Sequence, residues 1–173
     1  MPILQDICKW SGAYYKEDSE NTLLQCQKCD YKYEKNMNIE YTTEKKFTKE
    51  DIQELFLSVG WVSGQYPNRL YKALMGSSTV LTAWNGEHLA GLVRVIDDSE
   101  LVAFMHYVLV NPKYQGNGIA GKMVEMIKEK YKDFLYIEVM PDESKNATFY
   151  EKHGFKIMAD GVPMQICNFN GKK

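Results

Sequence analysis

The chain has 173 residues, 45% of them hydrophobic and 13% aromatic, enough for one full-sized core and a small extra module but not for two large domains. Its 21 basic and 23 acidic residues leave a net charge of −2, which argues against electrostatic attraction to nucleic acid or anionic lipid. No apolar stretch approaches the roughly 20 residues that span a bilayer, and Met1 to Asp6 do not resemble a secretion signal. We therefore expect a cytoplasmic protein with reduced cysteines, no membrane association and no nucleic-acid partner.

The first 36 residues carry three of the four cysteines and predict a small accessory segment, 1–36, ahead of the main domain, 37–173. Cys8-Lys9-Trp10-Ser11 precedes Cys26-Gln27-Lys28-Cys29, and 14 residues lie between the two tetrapeptides. The segment resembles a zinc ribbon that has lost one ligand, with "AYYKED" and "NTLLQC" as its β-hairpin. Cys8, Cys26 and Cys29 could hold zinc with water or a borrowed histidine. Closed structural sites use four protein ligands, so zinc is possible but the metal-free form is favoured.

The main domain starts with a strand, two helices and a hairpin. "NIEYTT" has the residue types and alternation of a strand, and Thr48 with Asp51 predicts a capping box at the start of a helix. "YPNRLYKALMG" predicts a second, short helix that ends at its glycine. "STVLTAW" and "HLAGLVRVI" predict a hairpin, and the Asn85-Gly86 pair between them is typical of a tight type I′ turn.

The second half of the domain predicts alternating strands and helices. "LVAFMHYVLV" is nearly continuous in apolar residues, which indicates a central strand covered on both faces. A glycine-rich loop then leads into a helix with an apolar stripe that includes Met123 and Ile127. "FLYIEVM" predicts a strand, "DESKNATFYEKHG" a helix capped by Asp142 or Ser144 and ended by Gly154, and "FKIM" and "MQICNF" two more strands. The predicted fold class is α/β, a mixed and mainly antiparallel sheet flanked by helices.

The loop "NPKYQGNGIAGK", Asn111 to Lys122, matches three glycine patterns that predict different chemistry. A nucleotide P-loop needs a hydroxyl after its lysine to bind magnesium, and position 123 is Met. A dinucleotide fingerprint places its first glycine in the turn directly after the strand, whereas Asn111 to Gln115 intervene here. The third pattern, QxxGxA, begins at Gln115 and opens the acyl-CoA-binding helix of N-acyltransferases.

Two motifs in the expected order decide between these patterns. "VNPKYQGNGI" runs from Val110 to Ile119, and "NATFYEKHGF" runs from Asn146 to Phe155. Through them the chain resembles the GNAT superfamily of acetyl-CoA-dependent N-acetyltransferases, over about Met37 to Phe169. The resemblance implies the GNAT-type fold, with acetyl-CoA as cofactor. The start of a helix leaves backbone amides unpaired and carries partial positive charge, which suits the diphosphate of that cofactor.

The resemblance also implies a mechanism. A neutral amine attacks the thioester carbonyl, a tetrahedral oxyanion forms, and coenzyme A leaves as the thiolate. The strand that ends at Val110 is expected to splay from "LYIEV", so that its backbone pairs with the pantetheine arm and faces the oxyanion. Tyr150 matches the general acid that protonates the sulfur. The residues expected to hold the cofactor are Val108, Leu109, Val110, Gln115, Gly116, Asn117, Gly118, Ile119, Ala120, Asn146 and Tyr150.

The general base and the acceptor site are less sharply defined. His106 could take the amine proton, since an ordinary histidine has a pKa near 6.5; Glu138 and Tyr107 are alternatives, as is transfer through water. A lone histidine in an apolar strand is more often a hydrogen-bonded core residue. The family builds its acceptor pocket from the segment "VGWVSGQYPNRL" with strand residues. The predicted acceptor-site residues are Trp61, Tyr66, His106 and Tyr107, although Trp61 could instead plug the core at a helix end.

These observations predict an N-acetyltransferase of the acyltransferase class that acts on the primary amine of a small molecule. One alternative is an acetyltransferase of protein lysines or N-termini, with the accessory segment docking the partner. Another is a non-catalytic acyl-CoA-binding module or a nucleic-acid adaptor. The near-neutral charge opposes the adaptor, and Tyr150 opposes the non-catalytic module. The identity of the amine and the oligomeric state, a homodimer included, are open.

Overall fold

The structure is a computed structural model. It describes residues 37 to 168 and three strands that precede them, Tyr15–Glu17 (β1), Leu23–Cys26 (β2) and Lys32–Glu34 (β3). The chain divides into two units, residues 1–38 and residues 39–173. Among the helices of the described ranges, none combines the length and the apolar character that a bilayer crossing needs.

The first unit contains a three-stranded antiparallel sheet in the order β1-β2-β3. Tyr15 lies opposite Cys26, and Leu24 lies opposite Tyr33. The hairpin predicted from "AYYKED" and "NTLLQC" is thereby confirmed for its two strands. Cys8 and Cys29 lie outside the described residues, and Cys26 is described only as the last residue of β2, so the zinc-ribbon resemblance and the boundary at residue 36 stay predictions.

The second unit is a five-stranded sheet with two helices on each face. Its strands are β4 (Ile39–Thr42), β5 (Thr79–Asn85), β6 (His88–Asp97), β7 (Val102–Val110) and β8 (Tyr136–Val139). Its helices are α1 (Lys49–Ser58), α2 (Pro67–Met75), α3 (Ile119–Lys130) and α4 (Ala147–Lys152). The strand order is β4-β5-β6-β7-β8, and only the pair β7-β8 is parallel. The predicted mixed, mostly antiparallel sheet flanked by helices is confirmed.

Local signals account for several element boundaries. Thr48 caps α1 as predicted: its Oγ1 accepts from the Asp51 N–H at 3.1 Å, and the Asp51 carboxylate accepts from the Thr48 N–H at 2.8 Å. The hairpin β5-β6 is also confirmed, but its predicted turn type is wrong. Asn85 is the last residue of β5 and pairs with His88, so the turn residues are Gly86 and Glu87. Only Gly86 has a positive φ, 59°, which matches type II′ rather than type I′.

The sheet is covered on both faces by apolar side chains. On one face, Met123, Val124 and Ile127 of α3 pack against side chains of β5, β6 and β7 such as Val93 and Met105. The other face lies under α1 and α2 and buries, among others, Ile52, Phe56, Leu74, Leu92 and Leu109. The central position predicted for β7 is confirmed, since β6 and β8 flank it and both of its faces are covered.

Two predictions for the end of the domain are wrong. Residues 155 to 158 and 164 to 168 have no strand pairing, and the side chains of Val162, Met164 and Ile166 are 80 to 89% exposed. The predicted helix starts at Ala147 after a short 3₁₀ turn, Ser144–Asn146, and neither Asp142 nor Ser144 caps it. Gly154 does follow the end of α4 in the left-handed conformation, with a φ of 85°.

Tyr131, directly after α3, ties this helix to the sheet. Its buried hydroxyl donates to Asp97 Oδ2 at 2.6 Å and lies 2.8 Å from Thr79 Oγ1. Burial and the Asp97 carboxylate raise the pKa of Tyr131 from 10.0 to about 12. The phenol is therefore neutral across the ordinary pH range and holds the last turn of α3 to the start of β5 and the end of β6.

We expect Tyr131→Phe to lower the free energy of unfolding by about 2 kcal/mol, because Thr79 and the Asp97 carboxylate each lose a partner. Since the folded-state pKa is raised, the effect is fully present below about pH 10 and disappears as the pH rises to about 12. Urea unfolding at pH 7 measures it. Equal midpoints for the variant and the wild type would show that these hydrogen bonds make no net contribution.

Candidate active site

The loop between β7 and α3 takes a backbone path that requires glycine at two positions. Gly116 has a φ of 81° and Gly118 a φ of 74°, both in the left-handed region. A Cβ placed on either residue would meet no atom within 4 Å. The space in front of the loop is therefore open, and the two glycines serve the backbone conformation.

Polar side chains of the loop bond to its own backbone. Gln115 Nε2 donates to the Val110 carbonyl at 2.9 Å, and Asn117 Nδ2 donates to the carbonyls of Tyr114 and Gln115 at 2.9 and 3.1 Å. Asn111 Oδ1 accepts from the Lys113 N–H at 3.0 Å. The amides of Gln115 and Asn117, predicted as cofactor contacts, thus hold the loop in shape, and the loop offers its backbone N–H groups to a ligand.

The first turn of α3 has backbone N–H groups without a side-chain cap. Its N-cap is Gly118, which provides no side-chain cap, and the turn contains no acidic residue. The first N–H to bond within the helix is that of Lys122, to the Gly118 carbonyl at 3.0 Å. The N–H groups of Ile119 and Ala120 therefore point out of the helix start, where the helix dipole adds partial positive charge. The Ile119 side chain is buried in the core and the Ala120 side chain partly so, which leaves the backbone as their contribution.

β8 ends at Val139 while β7 continues to the loop, and we call the resulting gap in the sheet the fork. Their parallel pairing runs from Val102 with Tyr136 to Met105 with Val139 and ends there. The remaining part of β7, His106–Val110, has no strand beside it on that side within the described residues. All four residues of β8 pair with β7, so a splay between the two strands stays a prediction. The side chains of Leu109 and Val110 are buried, so only their backbone could contact a ligand in the fork.

Tyr150 lies on α4 with its ring buried between Phe149 and Phe155, at centroid distances of 5.0 and 5.7 Å. Burial raises its pKa to about 12. Its hydroxyl has no hydrogen-bond partner among the described residues, and no fully buried side-chain polar atom there lacks one, so the hydroxyl retains some access to solvent. Asn146, one turn earlier on the same helical face, is exposed. Tyr150 thus keeps its proton at neutral pH, and its hydroxyl is unpaired within residues 37 to 168.

Of the four residues predicted for the acceptor site, two line a cavity, whereas Trp61 and His106 do not. Tyr66 and Tyr107 line a cavity of about 470 Å³, and the Tyr107 hydroxyl lies 3.0 Å from Ser63 Oγ. Trp61 is partly buried and packs against Phe56 and Tyr107 at centroid distances of 5.8 and 5.4 Å, and it does not line the cavity. The structure therefore places Trp61 behind Tyr107, in the position that the core-plug interpretation describes.

His106 occupies an irregular position in β7. Arg94 of β6 lies opposite Tyr107 and Val95 lies opposite Met105, so His106 has no partner in the register. Its Nδ1 lies 3.0 Å from Arg94 Nη1, and its ring lies 4.2 Å from that of Tyr107. Partial burial lowers the pKa of His106, and the charge of Arg94 lowers it further.

Glu138 lies on the same face of the sheet as Phe104 and His106. In the parallel register Glu138 is opposite Phe104, while its neighbours Ile137 and Val139 pack into the core beneath α3. Successive side chains of a strand alternate between faces, so Glu138 points to the opposite face. Its carboxylate is partly buried and makes no ion pair in the part of the chain that the structure describes.

Three polar residues around the acceptor side were not singled out from the sequence. Ser63 and Arg69 line the cavity and fall within the segment predicted to build the pocket. Arg94 is the one charged residue in the apolar stretch "LAGLVRVI" of β6. This isolated charge is the sequence feature that could have identified it. A charge in an otherwise apolar strand needs a local reason, because charged groups are seldom buried without partners.

The third glycine of the loop region, Gly121, lies in the first turn of α3 and faces α4. A Cβ on Gly121 would lie 3.1 Å from Cε1 and Nε2 of His153. His153 in turn has its Nδ1 2.7 Å from Glu125 Oε1. Gly121 thus serves the contact between α3 and α4 rather than a ligand.

Comparisons with known proteins agree with this arrangement. Residues 45–155 match the model of the acetyltransferase (GNAT) family. The chain is 32% identical over 120 residues to the uncharacterized N-acetyltransferase ycf52 of Gracilaria tenuistipitata var. liui, a match that spans 65% of this chain and 64% of that relative. It is 28% identical over 144 residues to the protein of the same name from Pyropia yezoensis, covering 79% and 78% of the two chains.

A solved GNAT family acetyltransferase from Streptococcus pneumoniae TIGR4 superposes with a TM-score of 0.64 at 26% identity, over 76% of this chain and 98% of that one. A probable acetyltransferase from meticillin-resistant Staphylococcus aureus superposes with a TM-score of 0.68 at 24% identity, over 75% and 99%. The family match covers more than half of the chain and includes both the loop and Tyr150. This match establishes that the chain belongs to the acetyltransferase (GNAT) family, and the uncapped start of α3 beside the end of β8 agrees with it.

Proposed function

We propose that this protein is an N-acetyltransferase that moves the acetyl group of acetyl-CoA to the primary amine of a small molecule. The amine nitrogen forms a bond to the acyl carbon, the carbon–sulfur bond breaks, the amine loses a proton and the sulfur gains one. The observation that carries the proposal is the uncapped start of α3, with its two left-handed glycines, next to the unpaired stretch of β7.

The residues around the fork fit coenzyme A in two places. The N–H groups at the start of α3 are donors for the diphosphate, and the backbone of Val108 to Val110 is free to pair with the amide-containing pantetheine arm. A backbone N–H in this stretch would also face the oxyanion, a contact worth about 3 kcal/mol in the barrier. Asn146 has an exposed amide for a further hydrogen bond to the cofactor. When bound, acetyl-CoA supplies the activated acetyl group as a thioester.

Tyr150 is assigned the role of general acid toward the departing sulfur. Its raised pKa keeps the proton on the phenol at neutral pH, and its hydroxyl has no competing partner in the described residues. A thiolate is a poor leaving group relative to the thiol, so a positioned donor lowers the barrier.

The size of the cavity beside Tyr107 is compatible with the small acceptor that we propose. Its volume of about 470 Å³ lies in the range of small-molecule pockets. Tyr66, 37% exposed, and Arg69 lie at its wall, and an aromatic face there can stack on the acceptor. The identity of the amine is left to a screen.

Two measurements test the proposal. Calorimetry with coenzyme A tests the cofactor site, and a panel of arylalkylamines, amino sugars, lysine peptides and peptide N-termini, read by thiol release, tests the reaction. We expect binding and turnover with one of the small amines. Turnover with peptides alone would identify a protein acetyltransferase, binding without any turnover would identify an acyl-CoA-binding module, and the absence of binding would remove the basis of the proposal.

We further propose that the accessory segment needs no zinc, because its three cysteines fall one short of the four ligands of a closed structural site. Untagged protein is expected to contain less than about a tenth of an equivalent of zinc by mass spectrometry. A stoichiometric amount that survives dialysis against a chelator would instead assign Cys8, Cys26 and Cys29 to a metal site.

A further inference from the structure

The contact between Arg94 and His106 determines the chemistry of the histidine ring. A guanidinium group carries only N–H donors and no acceptor, so the ring nitrogen that faces it must accept. That nitrogen is Nδ1, 3.0 Å from Arg94 Nη1. A neutral imidazole has one N–H, which in this geometry must be on Nε2.

Arg94 is itself fixed in place. Its Nε donates to Ser77 Oγ at 2.8 Å, and the Ser77 hydroxyl donates to the Ala73 carbonyl at 2.6 Å, so Ser77 is oriented to accept from the arginine. The guanidinium carbon lies 5.6 Å from the centre of the Tyr107 ring. Arg94 is partly buried and has no carboxylate within ion-pair distance among the described residues. The Arg94 side chain is therefore held by its contacts with Ser77, His106 and Tyr107 and not by a salt bridge.

The irregular register at His106 accompanies a close contact between its ring and that of Tyr107. His106 is exposed and lacks a register partner on β6, and its ring lies 4.2 Å from that of Tyr107. Tyr107 lines the cavity, whereas His106 does not. Bulges commonly re-aim a side chain next to a functional site. His106 is also the first residue of β7 beyond its pairing with β8, so it lies where the fork opens. Its Nε2 has no hydrogen-bond partner among the residues that the structure describes.

We infer that Arg94 is a positioning residue that holds His106 in its Nε2–H tautomer, so that the ring presents a hydrogen-bond donor to an oxygen of the acceptor rather than a base to its amine. In this tautomer a proton can be accepted only at Nδ1, where the guanidinium already donates. The expected acceptor is an amine with a carbonyl, carboxylate or hydroxyl oxygen near its nitrogen. The contact between His106 and the acceptor rests on the proposed acetyl transfer. The tautomer of His106 does not depend on that proposal.

Removal of the amine proton then falls to another group. Two titratable groups contact His106, Arg94 from β6 and Tyr107 from its own strand, and Glu138 of β8 lies on the same face of the sheet, opposite Phe104. The Tyr107 hydroxyl is engaged with Ser63. We therefore assign removal of the amine proton to Glu138, directly or through water.

Long-range proton–nitrogen NMR of protein labelled with ¹⁵N-histidine tests the tautomer without any acceptor. The His106 signals are those lost in His106→Gln. We expect a protonated Nε2, an unprotonated Nδ1, and a ring that stays mostly neutral at pH 6.5, where an ordinary histidine is half protonated. A protonated Nδ1, or a half-protonated ring at that pH, would overturn the inference.

Arg94→Met removes the guanidinium and keeps an apolar stem over Tyr107. We expect a mixture of the two His106 tautomers and protonation at a higher pH than in the wild type, because the charge that lowers its pKa is gone. An unchanged tautomer in a folded variant would show that Arg94 does not hold the ring. If this variant does not fold, the spectrum of the wild-type protein still decides which tautomer His106 adopts.

His106→Gln separates a donor from a base in the kinetics, since a glutamine amide can still donate. With the best amine of the thiol-release panel, we expect KM to rise by up to about tenfold, kcat to stay within about threefold, and the acid limb of the pH profile to stay in place. A fall in kcat of about 100-fold with loss of that limb would make His106 the base. If no amine is acetylated, the proposed function fails while the NMR result stands.

Discussion

Replacing Tyr150 with phenylalanine is expected to lower kcat by about 100-fold or more and to leave the affinity for coenzyme A nearly unchanged. The change removes one oxygen from a ring that packs between Phe149 and Phe155, and the hydroxyl has no partner in the described residues that would be left unsatisfied. Fold and cofactor site should therefore persist. Thiol release at saturating acetyl-CoA measures kcat, and calorimetry measures the affinity.

The pH dependence of the rate gives a second test of the role assigned to Tyr150. With a pKa of about 12, Tyr150 keeps its proton through the neutral and mildly alkaline range. The wild-type rate should therefore show no alkaline decline due to this group until the pH approaches that value. An alkaline limb near pH 8 or 9 that disappears in Tyr150→Phe would contradict the assigned pKa.

Tyr131→Phe is the matched control, because it makes the same chemical change at a second buried tyrosine with a pKa of about 12. Tyr131 bonds to Asp97 and Thr79 at the far end of α3, away from the loop. We expect the two variants to give opposite results: Tyr150→Phe loses turnover and keeps its stability, whereas Tyr131→Phe loses stability and keeps its turnover. Equal turnover in both variants would mean that Tyr150 is not the acid.

Gly118→Asp is expected to weaken coenzyme A binding by about 100-fold or more. Aspartate tolerates the left-handed conformation better than most residues, so the backbone cost at a φ of 74° stays near 1 kcal/mol. Its carboxylate, however, would lie at the start of α3, where the diphosphate is expected. Two like charges about 5 Å apart repel by roughly 3 kcal/mol at an effective dielectric constant of 20, which corresponds to about two orders of magnitude in Kd. Calorimetry with coenzyme A measures the loss.

Gly118→Asn is the neutral control for this variant. Asparagine has nearly the same shape as aspartate and the same tolerance of a positive φ, but it carries no charge. We expect it to bind coenzyme A within about tenfold of the wild type. If the asparagine and aspartate variants lose affinity equally, the effect is steric, and the start of α3 does not hold an anionic group.

The features predicted best from the sequence depend on neighbouring residues. The capping box at Thr48 and Asp51 needs only four consecutive residues, and it forms as expected. The left-handed glycines at 116 and 118 follow likewise from the loop motif. The turn between β5 and β6 shows the limit, because "NG" gives the hairpin, while the register that pairs Asn85 with His88 decides the turn type.

The features that the sequence did not predict depend on distant residues. The last two expected strands have suitable composition, yet a strand forms only where another strand accepts its hydrogen bonds, and residues 155 to 168 have none. The bulge at His106 arises from the register between β6 and β7, so the contact with Arg94, 12 residues earlier in the chain, has no local signature. Tyr150, Asn146 and the loop could be proposed from the sequence because they belong to motifs of adjacent residues, whereas Arg94 belongs to none.

The close approach at Gly121 links two parts of the proposed site that do not touch each other. Any side chain at 121 would push on the His153 ring, and with it on the helix that carries Tyr150. An alanine there would require the His153 ring to shift by a few tenths of an ångström, and we expect this shift to reach Tyr150 on the same helix. Dinucleotide-binding folds use their third glycine for a similarly tight helix contact, and this shared steric need explains why the loop also fits their pattern.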